Sequence, residues 1–157
     1  MFSLDAVVRQ IRTFKNKRTV LVGGSFDILH VGHIRFLSQA KKLGDILVVG
    51  LNSNNIVKKK KGIHRPIVDE KHRAEVLLNL KTVDAVFITR EPFSEGVLEI
   101  LKPDVLVFTV ERGRIKSARE QAERTKKQHP NIGIAFLKKE GKKISTTRIE
   151  QRILDRN

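Results

Sequence analysis

The stretch from Thr19 to Leu37 narrows the possible folds more than any other part of this chain. A β-branched run, Thr19 to Val22, has the content and length of a buried strand. Gly23 and Gly24 follow and free the backbone to turn tightly, and Ile34, Phe36, Leu37 and Ala40 then open a helical pattern. A loop that feeds a helix N-terminus offers unpaired N–H groups and the positive end of a helix dipole, which together favour an oligophosphate. His30 and His33 stand at that entrance with Gly32 between them. Their spacing lets both imidazoles point the same way and donate to phosphate oxygens, while Gly32 allows a ligand to approach the backbone. There is neither a Gly-x-x-x-x-Gly-Lys-Ser/Thr loop nor a Gly-x-Gly-x-x-Gly fingerprint, so the two commonest phosphate-binding motifs are excluded.

The rest of the chain alternates in the same way. Leu4, Val7, Val8, Ile11 and Phe14 form one stripe of an N-terminal helix over 3–14. A helix over 31–43 should end at Gly44 in a left-handed C-cap, and a second strand spans 45–51. Residues 52–69 read as a long polar excursion with four consecutive lysines, Lys58 to Lys61, set at the same sheet edge as the histidines and suited to phosphate capture.

Asp69 should cap a helix that carries Ala74, Val76, Leu77 and Leu80, followed by a strand over 84–88. Ser94 caps a short helix before Pro103, and strands over 104–109 and 132–137 flank a charged helix over 115–128. A last helix begins near Ser145, with Ile149, Ile153 and Leu154 at its apolar positions. Strands alternating with helices predict an α/β fold: a Rossmann-like open parallel five-stranded sheet with helices on both faces, in a single domain over 1–157. Ligands of such sheets bind beyond the carboxyl ends of the strands. The His loop and the start of the final helix should therefore meet, with Ser145, Thr146 and Thr147 offering hydroxyls and amides to one polyphosphate.

Charge points the same way without choosing the ligand. Lys and Arg number 32 against 17 acidic residues, a net charge of +15, which suits an anionic small molecule, a nucleic acid or an anionic membrane. Trp and Tyr are absent, and Phe87, Phe108 and Phe136 lie in strand runs where core packing is their expected use, so a dedicated nucleic-acid partner is disfavoured. Cysteine is absent, which excludes disulfides and thiolate metal sites. No apolar signal core or membrane-length run is present, and the expected location is cytoplasmic with no membrane partner. His64, His72 and His129 read as surface or loop residues.

Gly24-Ser25-Phe26-Asp27-Ile28-Leu29-His30-Val31-Gly32-His33 and Ile144-Ser145-Thr146-Thr147 resemble the two motifs of the HIGH-type nucleotidyltransferase superfamily, in the same order. Asn52-Ser53, Lys58, Lys61-Gly62, Arg65-Pro66, Arg73 and Val83-Asp84 look most like the heptose-1-phosphate adenylyltransferases. Glycerol-3-phosphate cytidylyltransferases are the next most similar group, and archaeal FAD synthases are less so.

The resemblance implies transfer of a nucleoside monophosphate, AMP from ATP in the first instance, to a phosphorylated sugar such as heptose 1-phosphate. The alternatives are a CTP-dependent glycerol-3-phosphate cytidylyltransferase, an FAD-synthase-like adenylyltransferase, or a non-catalytic basic binder of nucleotide or nucleic acid. The implied catalytic residues are His30, His33, Lys61 and Thr146. The implied nucleotide-binding residues are Gly23, Gly24, Ser25, Phe26, Asp27, Gly32, Lys58, Arg73, Glu111, Ser145 and Thr147. Magnesium is the implied cofactor, held mainly by substrate phosphates with no dedicated protein ligands, and a homodimer is the implied assembly. Two positions depart from the pattern: Phe108-Thr109-Val110-Glu111-Arg112 replaces a glycine-bearing segment, and Asn54 replaces a common acidic residue.

Overall fold

In the computed structural model, residues 3–90, 95–110, 115–138 and 144–155 are described. Five parallel strands form one sheet in the order β3-β2-β1-β4-β5. They are β1 (Thr19–Gly24), β2 (Ile46–Asn52), β3 (Ala85–Thr89), β4 (Val105–Val110) and β5 (Gly133–Lys138). The helices are α1 (Leu4–Ile11), α2 (Val31–Lys41), α3 (Asn54–Lys61), α4 (Glu70–Leu78), α5 (Glu95–Leu101), α6 (Ile115–Gln128) and α7 (Thr146–Leu154). The expected Rossmann-like sheet is therefore present, and β1 at its centre pairs with β2 on one side and β4 on the other. Chain order reverses there, which opens a crevice at the carboxyl ends of those strands.

Alternation along the strands divides the core between two faces. Val20, Val22, Val49 and Leu51 pack with Phe36, Leu37 and Ala40 of α2 and with Ala74 and Leu77 of α4. Leu21, Val48, Ala85, Phe87 and Leu106 point the other way, onto Val7, Val8 and Ile11 of α1 and Leu98 and Leu101 of α5. Full burial of one such aliphatic side chain stabilises by about 1.5–3 kcal/mol, so this two-sided packing is the main force holding the sheet and its helices together.

Several local expectations change. Gly23 and Gly24 continue β1, paired with Gly50 and Leu51, and do not form the turn. The chain leaves the sheet at Ser25 and Phe26, where Phe26 takes a φ of 42°. Gly24 is needed for contact: a Cβ there would lie 2.6 Å from Cε2 of Phe26. Gly44 is not a left-handed cap, since α2 closes on Lys42 in the right-handed region. Its Cβ would instead meet the Arg18 carbonyl oxygen at 2.7 Å, so close backbone approach is what selects glycine.

The polar excursion holds a helix. Ser53 accepts the Ile56 N–H at its start, Ile56 and Val57 are buried, and all four lysines fall in its last turn, where the helix dipole favours cations. Eight residues with only two apolar anchors are too short for a periodic pattern to show. Phe14 lies beyond the end of α1 and is exposed, as is Val76 on the outer side of α4. Phe136 on the edge strand β5 is 44% exposed, whereas Phe87 on β3, at the opposite edge, is buried beneath α1 and α5. On α7 Ile153 and Leu154 are exposed and Thr146 is the buried residue, so this helix rests on the body by its N-terminal end. Ser94, Glu111 and Arg112 lie outside the described residues.

Candidate active site

A cleft of about 690 Å³ opens at the carboxyl ends of the strands. The end of β1 and its loop supply Gly23, Gly24, Ser25, Phe26 and Asp27, β2 supplies Asn52, β4 supplies Thr109, and α2 adds His33 and Phe36. Lys60 and Lys61 reach in from α3, and Ser145, Thr146, Thr147 and Glu150 from α7. The two motifs read from opposite ends of the sequence thus face one another, as their placement on parallel strands required.

His30 and His33 differ in position. His30 is the N-cap of α2: its Nδ1 accepts the Gly32 N–H at 3.1 Å. In a neutral imidazole an accepting Nδ1 leaves the proton on Nε2. Its ring stacks on that of His33 with centroids 3.9 Å apart and an interplanar angle of 24°. The Phe26 ring also contacts His33, with centroids 5.2 Å apart and tilted by 60°. Of the pair, His33 lines the cleft, and His30 and Gly32 sit directly behind it, both buried. Cap, stack and aromatic wall together hold the His33 ring in one orientation.

Asp27 and Arg73 build the floor, and neither acts through an open face. Asp27 Oδ1 accepts the N–H groups of Ile67 and Val68 at 2.8 and 3.0 Å, and Oδ2 accepts Arg65 Nη1 at 2.8 Å. Burial pushes this carboxyl up, but the Val68 N–H, the Arg65 guanidinium and the Ile67 N–H outweigh it and hold it below the usual carboxylate value. Both oxygens are committed, so Asp27 pins the 65–68 segment to the β1 loop.

Arg73 is 2% exposed and does not line the cleft. Its guanidinium donates to the carbonyls of Ser25 at 2.5 Å, Asn52 at 3.0 Å and Val68 at 2.8 Å, and to Asn54 Oδ1 at 2.9 Å. Burial lowers its pKa, opposed by Asp27, Glu70 and Asp69, but an arginine stays charged through such a shift. It ties the ends of β1 and β2 to α4 and places a positive charge under the cleft.

Asn54 explains one departure from the family pattern. Its Oδ1 accepts from Arg73 while its Nδ2 donates to Asp69 Oδ2 at 2.8 Å. An amide does both, whereas an ionised carboxylate there would face Asp69 with like charge.

Lys58 does not line the cleft, although it shares α3 with Lys60 and Lys61, which do. Lys60, Phe36 and Glu150 were not singled out from the sequence. Glu150 had a signal, because it lies four residues beyond Thr146 and so on the same face of a helix. Its partner Arg65, paired with it through Nη2, is distant in sequence and was marked only by the Arg65-Pro66 resemblance. Asn52 and Thr109, quoted earlier only as motif residues, both line the cleft, and Asn52 Nδ2 lies 3.3 Å from Ser25 Oγ. Among the described residues no group of three or more His, Asp or Glu side chains could hold a metal ion, and no helix is long and apolar enough to cross a membrane.

The profile of the Cytidylyltransferase-like family matches residues 21–152. The bifunctional protein HldE of Helicobacter pylori strain P12 is 48% identical over 97 residues, which are 62% of this chain and 21% of that protein. HldE of Geotalea uraniireducens strain Rf4 is 44% identical over 114 residues, 70% of this chain and 23% of that one. The chain thus spans about a fifth of the length of these relatives.

Among solved structures, the lipopolysaccharide core biosynthesis protein from Thermoplasma volcanium GSS1 superposes with a TM-score of 0.70 at 29% identity, covering 80% of this chain and all of that one. The pantoate-beta-alanine ligase of Francisella tularensis, at 17% identity and a TM-score of 0.61 over 96% of this chain and 74% of its own, shares the fold. A match over residues 21–152, a span that includes both motifs converging on the cleft, identifies this chain as a member of the cytidylyltransferase-like family of nucleotidyltransferases.

Proposed function

We propose that the protein transfers AMP from ATP to a phosphorylated sugar such as heptose 1-phosphate. The observation that carries this reading is the meeting of His33, Lys61 and the N-terminal turn of α7 around one cleft at the carboxyl edge of the sheet. The HldE relatives and the Lys61-Gly62-Ile63-His64-Arg65-Pro66 segment, similar to that of the heptose-1-phosphate adenylyltransferases, support the acceptor class.

An acceptor phosphate oxygen attacks the α-phosphorus, a new P–O–P link forms, and the bond to the bridging oxygen breaks as pyrophosphate leaves with its electron pair. The attacking oxygen is already anionic at neutral pH, so the protein needs alignment and charge neutralisation in place of a strong base. His33 donates to the α-phosphate, with its ring held by His30. Lys61 neutralises the departing pyrophosphate, and the Ser145 and Thr146 hydroxyls with the Thr146 and Thr147 amides at the start of α7 receive its oxygens. Gly23, Gly24 and Ser25 let the nucleotide lie against the end of β1, and Thr147 and Lys60 border the same space. Asp27 and Arg65 are already paired with each other, so in this reading magnesium enters with the triphosphate and supplies charge neutralisation when bound.

Pyrophosphate release with ATP or CTP, each with heptose 1-phosphate or glycerol 3-phosphate, tests the reading. Turnover is expected with ATP and heptose 1-phosphate and its loss with His33→Ala; release no faster than the His33→Ala control with every pair would refute it. The second reading, cytidylyl transfer to glycerol 3-phosphate, draws on the Ile144-Ser145-Thr146-Thr147 segment shared with that group. Turnover confined to CTP would establish it instead.

A further inference from the structure

Arg65 is 8% exposed, lines the cleft, and divides its guanidinium between two carboxylates. Nη1 meets Asp27 Oδ2 at 2.8 Å and Nη2 meets Glu150 Oε2. The two carboxylates are not equivalent. Asp27 has a fully buried side chain and both of its oxygens held by fixed donors, so it has nowhere to go. Glu150 is about a third exposed, borders the cleft, and its Oε2 is held at Arg65.

The group carries two negative charges against one positive, in a cleft otherwise bordered by Lys60, Lys61 and a helix N-terminus. Glu150 stands one turn beyond Thr146, on the face of α7 that borders the cleft. Beyond Glu150 the same helix is exposed, Ile153 and Leu154 included.

We infer that Glu150 is a resident anion that occupies the cleft-facing edge of Arg65 until a phosphate group of the substrate takes its place. The inference rests on the cleft's reading as a nucleotidyltransferase site and adds a residue that sets how strongly that site holds oligophosphate. A phosphate brings more charge and more acceptor oxygens than a carboxylate and matches the planar fork of an arginine equally well, so it displaces Glu150 from Nη2. Asp27 keeps Nη1 and holds the guanidinium in place during the exchange. Displacement also frees the body of α7 from its tie to the 65–68 segment, while the amides of its first turn close on the ligand. Part of the binding energy is therefore spent on breaking a pre-existing ion pair, and Glu150 lowers affinity for the substrate anion.

The test uses pyrophosphate as the probe, titrated by calorimetry into the full chain and into Glu150→Gln. Glutamine keeps the size and one acceptor of glutamate and removes its charge, so a purely structural tie would be kept or weakened and affinity would stay level or fall. The expectation is the reverse: about tenfold tighter binding in Glu150→Gln. Hydrogen exchange supplies the second readout. Pyrophosphate should slow exchange at Thr146 to Arg148 and speed it from Glu150 to Leu154 in the unaltered protein, and in Glu150→Gln the latter segment should exchange fast before any ligand is added. Equal or weaker binding in the variant, or uniform protection of α7 by pyrophosphate, overturns the proposal while leaving the site intact. Absence of pyrophosphate binding by both proteins overturns the reading of the cleft as well.

Discussion

The carboxylate of Asp27 and the guanidinium of Arg65 lie 2.8 Å apart in the interior, joining the loop after β1 to the segment before α4. Both loops border the same cleft, so this ion pair fixes its shape. Without Asp27 the Arg65 guanidinium keeps Glu150 as its partner, so the cost is that of lost buried hydrogen bonds to a charged group and less than that of a buried charge left alone. Asp27→Asn should therefore lower stability by about 1.5–3 kcal/mol in a urea titration.

The same contact sets an acid limit. The folded pKa of Asp27 is depressed, so its contribution is fully present above the unfolded carboxylate value, about 4, and is lost as pH falls from there through the lower folded value. Urea midpoints measured at pH 7, 5, 4 and 3 should be level down to about 5 and then decline. In Asp27→Asn that decline should be shallower; equal slopes would mean that other carboxylates set the acid limit.

His30 and His33 can be separated by substitution. His33→Ala should cut pyrophosphate release by about 10²–10³-fold, as loss of one donor to developing charge does elsewhere, and should lower the melting temperature as well, because a buried ring packed on His30 and Phe26 is removed. His30→Ala should also lose about 1 kcal/mol of stability, because the cap on Gly32 goes with the ring. His30→Asn restores a capping acceptor but not the ring that stacks on His33, so it should recover the stability and not the rate.

The lysine run divides by its geometry. Lys61 borders the cleft and Lys58 does not, although both lie in the last turn of α3. Lys61→Ala should lower kcat/KM by about 10²-fold, against less than about threefold for Lys58→Ala, whose charge acts only at longer range. Equal losses would show that the run works as a diffuse field.

Gly24→Ala tests the close approach at the end of β1. The added methyl would lie 2.6 Å from Cε2 of Phe26, whose ring is buried and flanks His33. Overpacking of this kind costs about 1–3 kcal/mol, and activity should fall further than the stability loss alone accounts for, because the His33 wall moves.

The order of the strands, the cleft at the end of the first strand and the meeting of the two motif segments around it were legible in the sequence. Apolar period, β-branched content and the Ser, Asp and Gly residues at element ends are local signals. The parallel sheet follows from their alternation, since a parallel pair needs a crossover and a right-handed crossover covers a face. Local chemistry did not reveal the short α3, whose two buried anchors give no period, or the reason for Gly44, which answers to the carbonyl of Arg18.

Tertiary structure alone decided which charges are exposed to a ligand. Asp27 and Arg73 belong to the motif pattern, yet folding turns both inward, onto donors and acceptors supplied by other segments. It also brings Glu150 to Arg65 from the far end of the chain. Hydrogen bonds and ion pairs depend on distances of about 3 Å and on direction, and between residues so far apart in sequence those are set only when the whole sheet has assembled.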